Sequence, residues 1–527
     1  CLIGLFFLWR RGEKLAWKGA ALWAGLLALG NFLNSWNSFQ LQWNSYDTIS
    51  PVLTFIIHFA LRTITALGSS FSFYFVTFLA AEGLTRFAFK NHPSFWPSLS
   101  PSGIGGKGIL QRFLAGYLLV PVDLAYVVAT YFFCRIFLGW WTPADALYDP
   151  NVVAYYAPWF APIARSFAAG FGEELLFRAL PLAGAATIGK LIGKQRICLG
   201  IAIIIQAIIF GGVHANYASQ PAYSRLIELI LPSLLWAILY LRYGLIPNII
   251  LHIVYDIFWF SIPIFVTSGF IINKILLVFA TFLPLLYSVW QHFKQIQHKT
   301  IFNKDETKHI AKPFPNFLPY KPDQLPFGKA INATTLAIAG LIGLALWARF
   351  TKFQPDFQRL KTNRNQTMVS SKELLDSVLH PSQTEWHTYP YITQGQIDFN
   401  SGIPKPQPHL QQRFIWQMHR PFYTPLLTTG YIPQQLWATR TIRFTGQLEE
   451  RAHQYFISFL PDGSVGSLYH AFPEGASGPS LAEKDALKIA TQFLSDKLHL
   501  NPENLKEISS IPHKHPERTD WTFIWQD

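Results

Sequence analysis

Charge is what this chain has least of. Of its 527 residues only 14% are Asp, Glu, Lys or Arg, while half are hydrophobic and 16% aromatic. Soluble domains carry roughly 25% charged residues, so a chain that is soluble along its whole length is excluded and a membrane composition is indicated. Cysteine is scarce: Cys1, Cys134 and Cys198 are the only three, the last two inside apolar runs. That excludes a disulfide framework and a cysteine-rich metal site. The soluble zinc-protease motif His-Glu-x-x-His is missing as well. Cations do outnumber anions, 43 Lys and Arg against 30 Asp and Glu. They cluster in short loops beside apolar spans, the positive-inside pattern of cytoplasmic loops, so a lipid bilayer and no nucleic acid is the expected partner.

What is present is a series of apolar runs near the length of a spanning helix. They lie at about 1–9, 15–34, 51–85, 113–138, 155–188, 197–216, 225–241, 245–263, 267–290 and 330–348. The 51–85 run is too long for one straight span and reads as a tilted helix or as two. The fold class expected is an all-α polytopic membrane domain of about 9–10 transmembrane helices over 1–348, followed by a small α+β soluble region over 349–527. Basic loops such as "WRRGEK", "KLIGKQR" and "HFKQIQHKTIFNKDETKHIAK" alternate with basic-poor, aromatic loops such as "GWWTPADALYDPN". With 51–85 taken as one crossing, the alternation places everything after Arg349 outside the cytoplasm of a multi-pass protein of a bacterial-type plasma membrane. The chain opens on Cys1 rather than Met and stops within "WTFIWQD", so both ends read as truncated and no signal peptide is judged.

Beyond residue 350, "HQYFISFLPDGSVGSLYHAF" reads as two strands around a Pro461-Asp462-Gly463 turn. In "SLAEKDALKIATQFLSDKL", Ser480 and Glu483 have capping-box spacing, and Leu487, Ala490, Phe493 and Leu494 recur at helical period.

Three apolar segments carry ionisable groups at helical spacing. In "FGEELLFRAL", Glu174 and Arg178 are four apart and share a face, and Glu173 is rotated roughly 100° from Glu174. In "IIFGGVHANY", Phe210 precedes His214 by one turn, and in "NIILHIVYDIFWF", His252 precedes Asp256 by the same interval. An ionised side chain at mid-bilayer costs roughly 2.5–3.5 kcal/mol on insertion scales, so these groups are expected to face one another or a wet cavity. One carboxylate and two imidazoles, Glu173, His214 and His252, form a donor set suited to zinc with a position open for water. A metal-free arrangement serves as well, with Glu173 and His214 activating water while His252 and Asp256 stabilise the oxyanion.

Blander readings exist for each group. Glu174 and Arg178 make a structural ion pair, His214 alone is an interfacial histidine, His252 and Asp256 are a buried hydrogen-bonded pair, and Phe210 is packing. Asp123, and His58 with Arg62, read as charge compensation between helices, and Arg225 with Glu228 as an interfacial pair. Their joint occurrence on three helices favours a site built from Glu173, Glu174, His214, His252 and Asp256, with Arg178 and Phe210 supporting it.

The ordered motifs Glu-Glu-x-x-x-Arg, Phe-x-x-x-His and His-x-x-x-Asp resemble those of the CPBP family, the CAAX prenyl endopeptidases and bacteriocin-processing or immunity proteins. The resemblance covers 155–265. It implies an intramembrane endopeptidase that hydrolyses a membrane-associated or lipidated protein or peptide, with Glu173, His214 and His252 at the catalytic centre. The last 80 residues resemble, loosely, PepSY-type domains. The competing expectations are a non-proteolytic scaffold or immunity-type relative, and a proton-coupled transporter, which the lack of a clear inverted repeat does not encourage.

Overall fold

The computed structural model describes residues 1–89, 92–143, 147–302, 333–351, 357–378, 386–393, 410–432, 435–498 and 500–526. The basic stretch expected to follow the 267–290 span lies outside the described residues from 303 onward. The chain divides into two compact units, Cys1–Phe39, His58–Asp356 and His409–Thr428 in the first, and Gln40–Ile57, Phe357–Pro408 and Thr429–Asp527 in the second.

Long helices dominate the N-terminal two-thirds of the chain: α1 (Leu2–Arg10), α2 (Trp17–Asn37), α3 (Val52–Ala88), α4 (Lys107–Phe137), α5 (Phe160–Glu174), α6 (Leu180–Leu191), α7 (Gln195–Val213), α8 (Ser224–Tyr243), α9 (Leu245–Phe260), α10 (Ile271–Phe302) and α11 (Ala333–Phe350). Among the described residues five helices are long and apolar enough to cross a membrane: α3, α4, α7, α8 and α10 over Ile271–Gln297. Two shorter apolar helices, Leu245–Phe260 and Thr334–Phe350, accompany them. The remaining apolar segments form α1, α2, α5 and α6. The 51–85 run is one continuous helix of 37 residues.

The helices bury small and aromatic residues between them and turn branched aliphatics outward. On α7, Ile201, Ile204, Ile205 and Ile208 are each at least half exposed, whereas Gln206 and Phe210 are buried. An apolar exterior over a partly polar interior is what a lipid solvent selects, and the protein is an integral membrane protein.

Three local features place the elements that carry the motifs. First, the chain after Glu174 widens into a π turn over Leu175–Ala179 before α6. Pro181 has no amide hydrogen for the Phe177 carbonyl, and the backbone accommodates the break by widening. Secondly, α9 is gripped at glycines. A Cβ on Gly170 of α5 would lie 2.6 Å from Ile253, and one on Gly116 of α4 would lie 2.7 Å from Ile250. Only hydrogen at these two positions lets α4 and α5 close on α9. Thirdly, α8 and α9 are joined by Gly244 alone, at φ +80°, a conformation that costs glycine nothing. Asn248 then donates to the Trp236 carbonyl at 2.8 Å, tying the two helices together.

Two short helices late in the sequence, Leu410–Met418 and Arg420–Thr428, also belong to the first unit. Trp416 donates its indole N–H to the Gly139 carbonyl at 3.1 Å, and Trp141 donates to the Tyr423 hydroxyl at 3.0 Å.

The second unit contains an antiparallel sheet in the order β1 (Trp386–Thr393), β2 (Leu436–Arg443), β3 (Gln454–Phe459) and β4 (Val465–Ala471). Helix α12 (Arg364–Val378) packs on β1 and β2. The turn expected at Pro461-Asp462-Gly463 joins β3 to β4, with Gly463 at φ +96°. Strand β2 is buried almost throughout. Its Arg440 is accommodated because its guanidinium donates to the Trp43 and Tyr46 carbonyls and to Gln454 Oε1. Helix α13 (Glu483–Leu498) and the hairpin β5 (Lys506–Lys514) and β6 (Thr519–Gln526) follow. The Glu483 carboxylate that was expected to close a capping box instead accepts from the Ser510 hydroxyl, and the Asp485 and Ala486 amides donate to the Ala482 carbonyl. Tertiary pairing with β5 has outcompeted the local cap.

Candidate active site

The three motif segments meet. Glu173 and Glu174 end α5, Arg178 sits in the π turn, Phe210 and His214 lie at the end of α7, and His252 and Asp256 lie on α9. Glu173, Arg178, Phe210, His214, His252 and Asp256 line one open cavity. Glu174 stands behind its wall, wholly buried.

Adjacent glutamates have opposite surroundings. Glu174 Oε1 meets His252 Nδ1 at 2.8 Å, and its Oε2 accepts from Asn248 Nδ2 at 3.1 Å and lies 3.6 Å from Arg178 Nε. A carboxylate at Nδ1 requires that nitrogen to carry a proton, so His252 presents Nε2 to the cavity in a fixed orientation. Glu173, rotated one residue around the helix, reaches both imidazoles from the cavity side. Its Oε2 is 3.6 Å from His214 Nε2 and 3.6 Å from His252 Nε2, and it has no hydrogen-bond partner among the described residues. Asp256 Oδ2 lies 3.5 Å from His252 Nε2. Three carboxylates thus surround one imidazole.

His214 is the residue that caps α7. Its Nδ1 is 2.7 Å from the Phe210 carbonyl, one of the acceptors a helix leaves unfilled at its C-terminus. That bond uses the Nδ1 proton and leaves Nε2 as an acceptor facing Glu173. The Phe210 ring packs 4.6 Å from the His214 ring and lies under the Arg178 guanidinium at 4.0 Å. Phe210 therefore does more than fill space: its ring face takes a cation that is otherwise poorly partnered.

The donor types Glu173, His214 and His252 match zinc. Tetrahedral bonds of ~2.0–2.1 Å put ligand atoms about 3.3–3.4 Å apart, somewhat closer than the 3.6 Å separations seen here. Among the described residues, no group of three or more His, Cys, Asp and Glu is already arranged to hold a metal ion. The unpartnered Glu173 oxygen is a fitting donor for such an ion and equally a fitting acceptor for water.

Several participants were not recognised in the sequence. Asn248 holds Glu174, and its place one turn before His252 on the same helix was a legible signal. Ser233 Oγ lies 3.5 Å from Arg178 Nη2, and the Trp236 ring lies 5.1 Å from His252. The Arg225–Glu228 pair, read as interfacial, is buried, with 2.6 Å between Nη1 and Oε1, and Arg225 lines the cavity. His58 and Arg62 do not line it.

No curated protein and no solved structure matches the chain. Residues 155–258 match the family model described as type II CAAX prenyl endopeptidase Rce1-like, a stretch that contains all seven motif residues and ends two residues after Asp256. The match supports an intramembrane CAAX-type endopeptidase, and residues 155–258 are similar to the CAAX-type intramembrane proteases that the three motifs resembled.

Proposed function

We propose that the protein hydrolyses a peptide bond of a membrane-associated or lipidated protein or peptide, at the cavity where Glu173 faces His214 and His252. The observation that carries this reading is the unpartnered Glu173 oxygen, equidistant from two imidazole nitrogens whose other ring atoms are already engaged. Glu173 takes a proton from water as the water oxygen bonds to the carbonyl carbon of the substrate. His214 Nε2 accepts the second water hydrogen and so orients the attack. His252, when it carries a proton on Nε2, donates to the developing oxyanion, and Arg178 in the cavity wall adds positive potential. The C–N bond breaks as Glu173 delivers the proton to the leaving nitrogen, so one water is consumed and an acid and an amine result.

Zinc is the candidate cofactor of the alternative, metal-assisted form of this proposal, in which the same three side chains are ligands in place of the roles just given. Glu173, His214 and His252 are the residues that would hold it, and when bound it supplies a water acidic enough to attack near neutral pH. A purely structural reading rests on the buried Glu174–Arg178–Asn248–His252 network, which ties α5, the π turn and α9 together whatever the chemistry.

The test is cleavage of a hydrophobic peptide by the full chain in proteoliposomes, with metal analysis of the same preparation. Glu173→Ala and His214→Ala are each expected to lower cleavage by at least about 10³-fold with helix content unchanged. Wild-type rates in either variant would remove the assignment. Retained structure and phenotype with no cleavage by the wild type would favour the scaffold reading.

A further inference from the structure

Helix α4 carries a single carboxylate, Asp123, within the apolar run "GYLLVPVDLAYVVATYFF". The mechanism above does not use it. It is half-buried, lines the same cavity as Glu173 and His252, and accepts one hydrogen bond, from Trp236 Nε1 at 2.8 Å. His252 and Arg178 act on it electrostatically from across the cavity, but among the described residues neither closes to an ion pair with it. A carboxylate placed in a membrane helix without a close ion-pair partner is costly, so its position at a cavity wall suits a cation that arrives from outside.

The surroundings define that partner's chemistry. Tyr126 follows Asp123 on α4, Trp236 comes from α8, and Tyr255 and Trp259 come from α9, all lining the cavity. Tyr255 and Trp259 pack in one cluster with Trp236 and with Val120 and Leu124, which flank Asp123. Carboxylate plus aromatic faces is the combination that takes an ammonium or guanidinium out of water. Trp236 already behaves this way, with the Arg178 guanidinium 5.1 Å from its ring. Trp259 Nε1 adds a donor with no partner among the described residues, suited to a peptide carbonyl.

Position follows from the same indole. The Trp236 ring packs against the His252 imidazole while its N–H holds Asp123, so one side chain separates the carboxylate from the cleavage centre. Resting on the protease reading, we propose that Asp123 and this aromatic wall form a specificity subsite for a Lys or Arg side chain of the substrate, within a few residues of the scissile bond.

The experiment uses the full-length Glu173→Ala chain in detergent, which binds without cutting. The probes are fluorescently labelled acetyl-Leu-Phe-Lys-Ile-Leu-amide and its norleucine counterpart, with binding read by anisotropy. The lysine peptide is expected to bind at least about ten-fold more tightly. Adding Asp123→Asn brings the ratio near one, and adding Asp123→Glu keeps the preference, which guards against a general loss of fold. Equal binding of the two peptides, no binding of either, or a preference unchanged by Asp123→Asn overturns the subsite. Cleavage of the same peptides by the wild type is scored separately. Selective binding without cleavage defeats the protease reading and leaves Asp123 and its aromatic wall as a binding site for a cationic side chain.

Discussion

Glu173 and Glu174 are neighbours in sequence with different tasks, and the difference is one of partners. Glu174 is fully buried, shared between His252, Asn248 and Arg178, whereas Glu173 turns an unpartnered oxygen to the cavity. Removing one member of a buried charge pair leaves the other without compensation, at about 3–5 kcal/mol. Glu174→Ala strands the Arg178 guanidinium and is expected to lower stability by that order, read as the midpoint of denaturant unfolding in detergent. Glu174→Gln, which keeps one oxygen to accept from His252 Nδ1 and gives up the acceptor for Asn248 Nδ2, loses less. Glu173→Ala is expected to shift the same midpoint little, because no hydrogen bond is lost. Equal destabilisation by both alanine variants would mean the two glutamates are not divided in this way.

Among the elements, α9 is the one on which the site depends. It supplies His252 and Asp256 and is held close by hydrogens at Gly116 and Gly170. Gly170→Val places side-chain atoms where Ile253 now lies, so α5 and α9 must separate and carry Glu173 away from His252. Expected are a loss of cleavage of at least about 10²-fold and a lower melting temperature. Retained activity would show that the close approach is not needed. These element-level features divide into what sequence displays and what it hides. Charged residues in an oily run stand out, so the helices bearing Glu173, His214 and His252 were legible from spacing alone. The π turn was not, because Pro181 marks a break without saying how the backbone absorbs it. Asn248 was passed over because a lone amide carries no charge, although its place one turn before His252 was there to be read. The 51–85 run exceeds a straight span yet forms one helix, since in a bilayer breaking it would leave backbone groups unsatisfied.

For the molecule as a whole, the membrane helices and the β-containing unit follow different rules of burial. In the second unit, His470 on β4 is covered by Tyr455 and Phe472, each with ring centroids 3.9 Å away, and faces His453 at 3.2 Å. Burial pushes its pKa down to about 4, with the nearby His453 acting in the same direction. The unfolded chain therefore takes up this proton first as pH falls from about 6.5 towards 4, and stability is lost over that window. Hydrogen exchange in the full chain should show β3 and β4 losing protection between pH 7 and 5, and losing less in His470→Gln. Identical losses would assign the effect elsewhere. The central claim is that side chains from α5, α7 and α9 act as one unit. The most direct measurement is single-turnover cleavage by Glu173→Ala, His252→Ala and the double variant. Groups acting together are non-additive, so the double variant is expected to be about as slow as the slower single one. Rate losses that multiply in the double variant would contradict a shared centre.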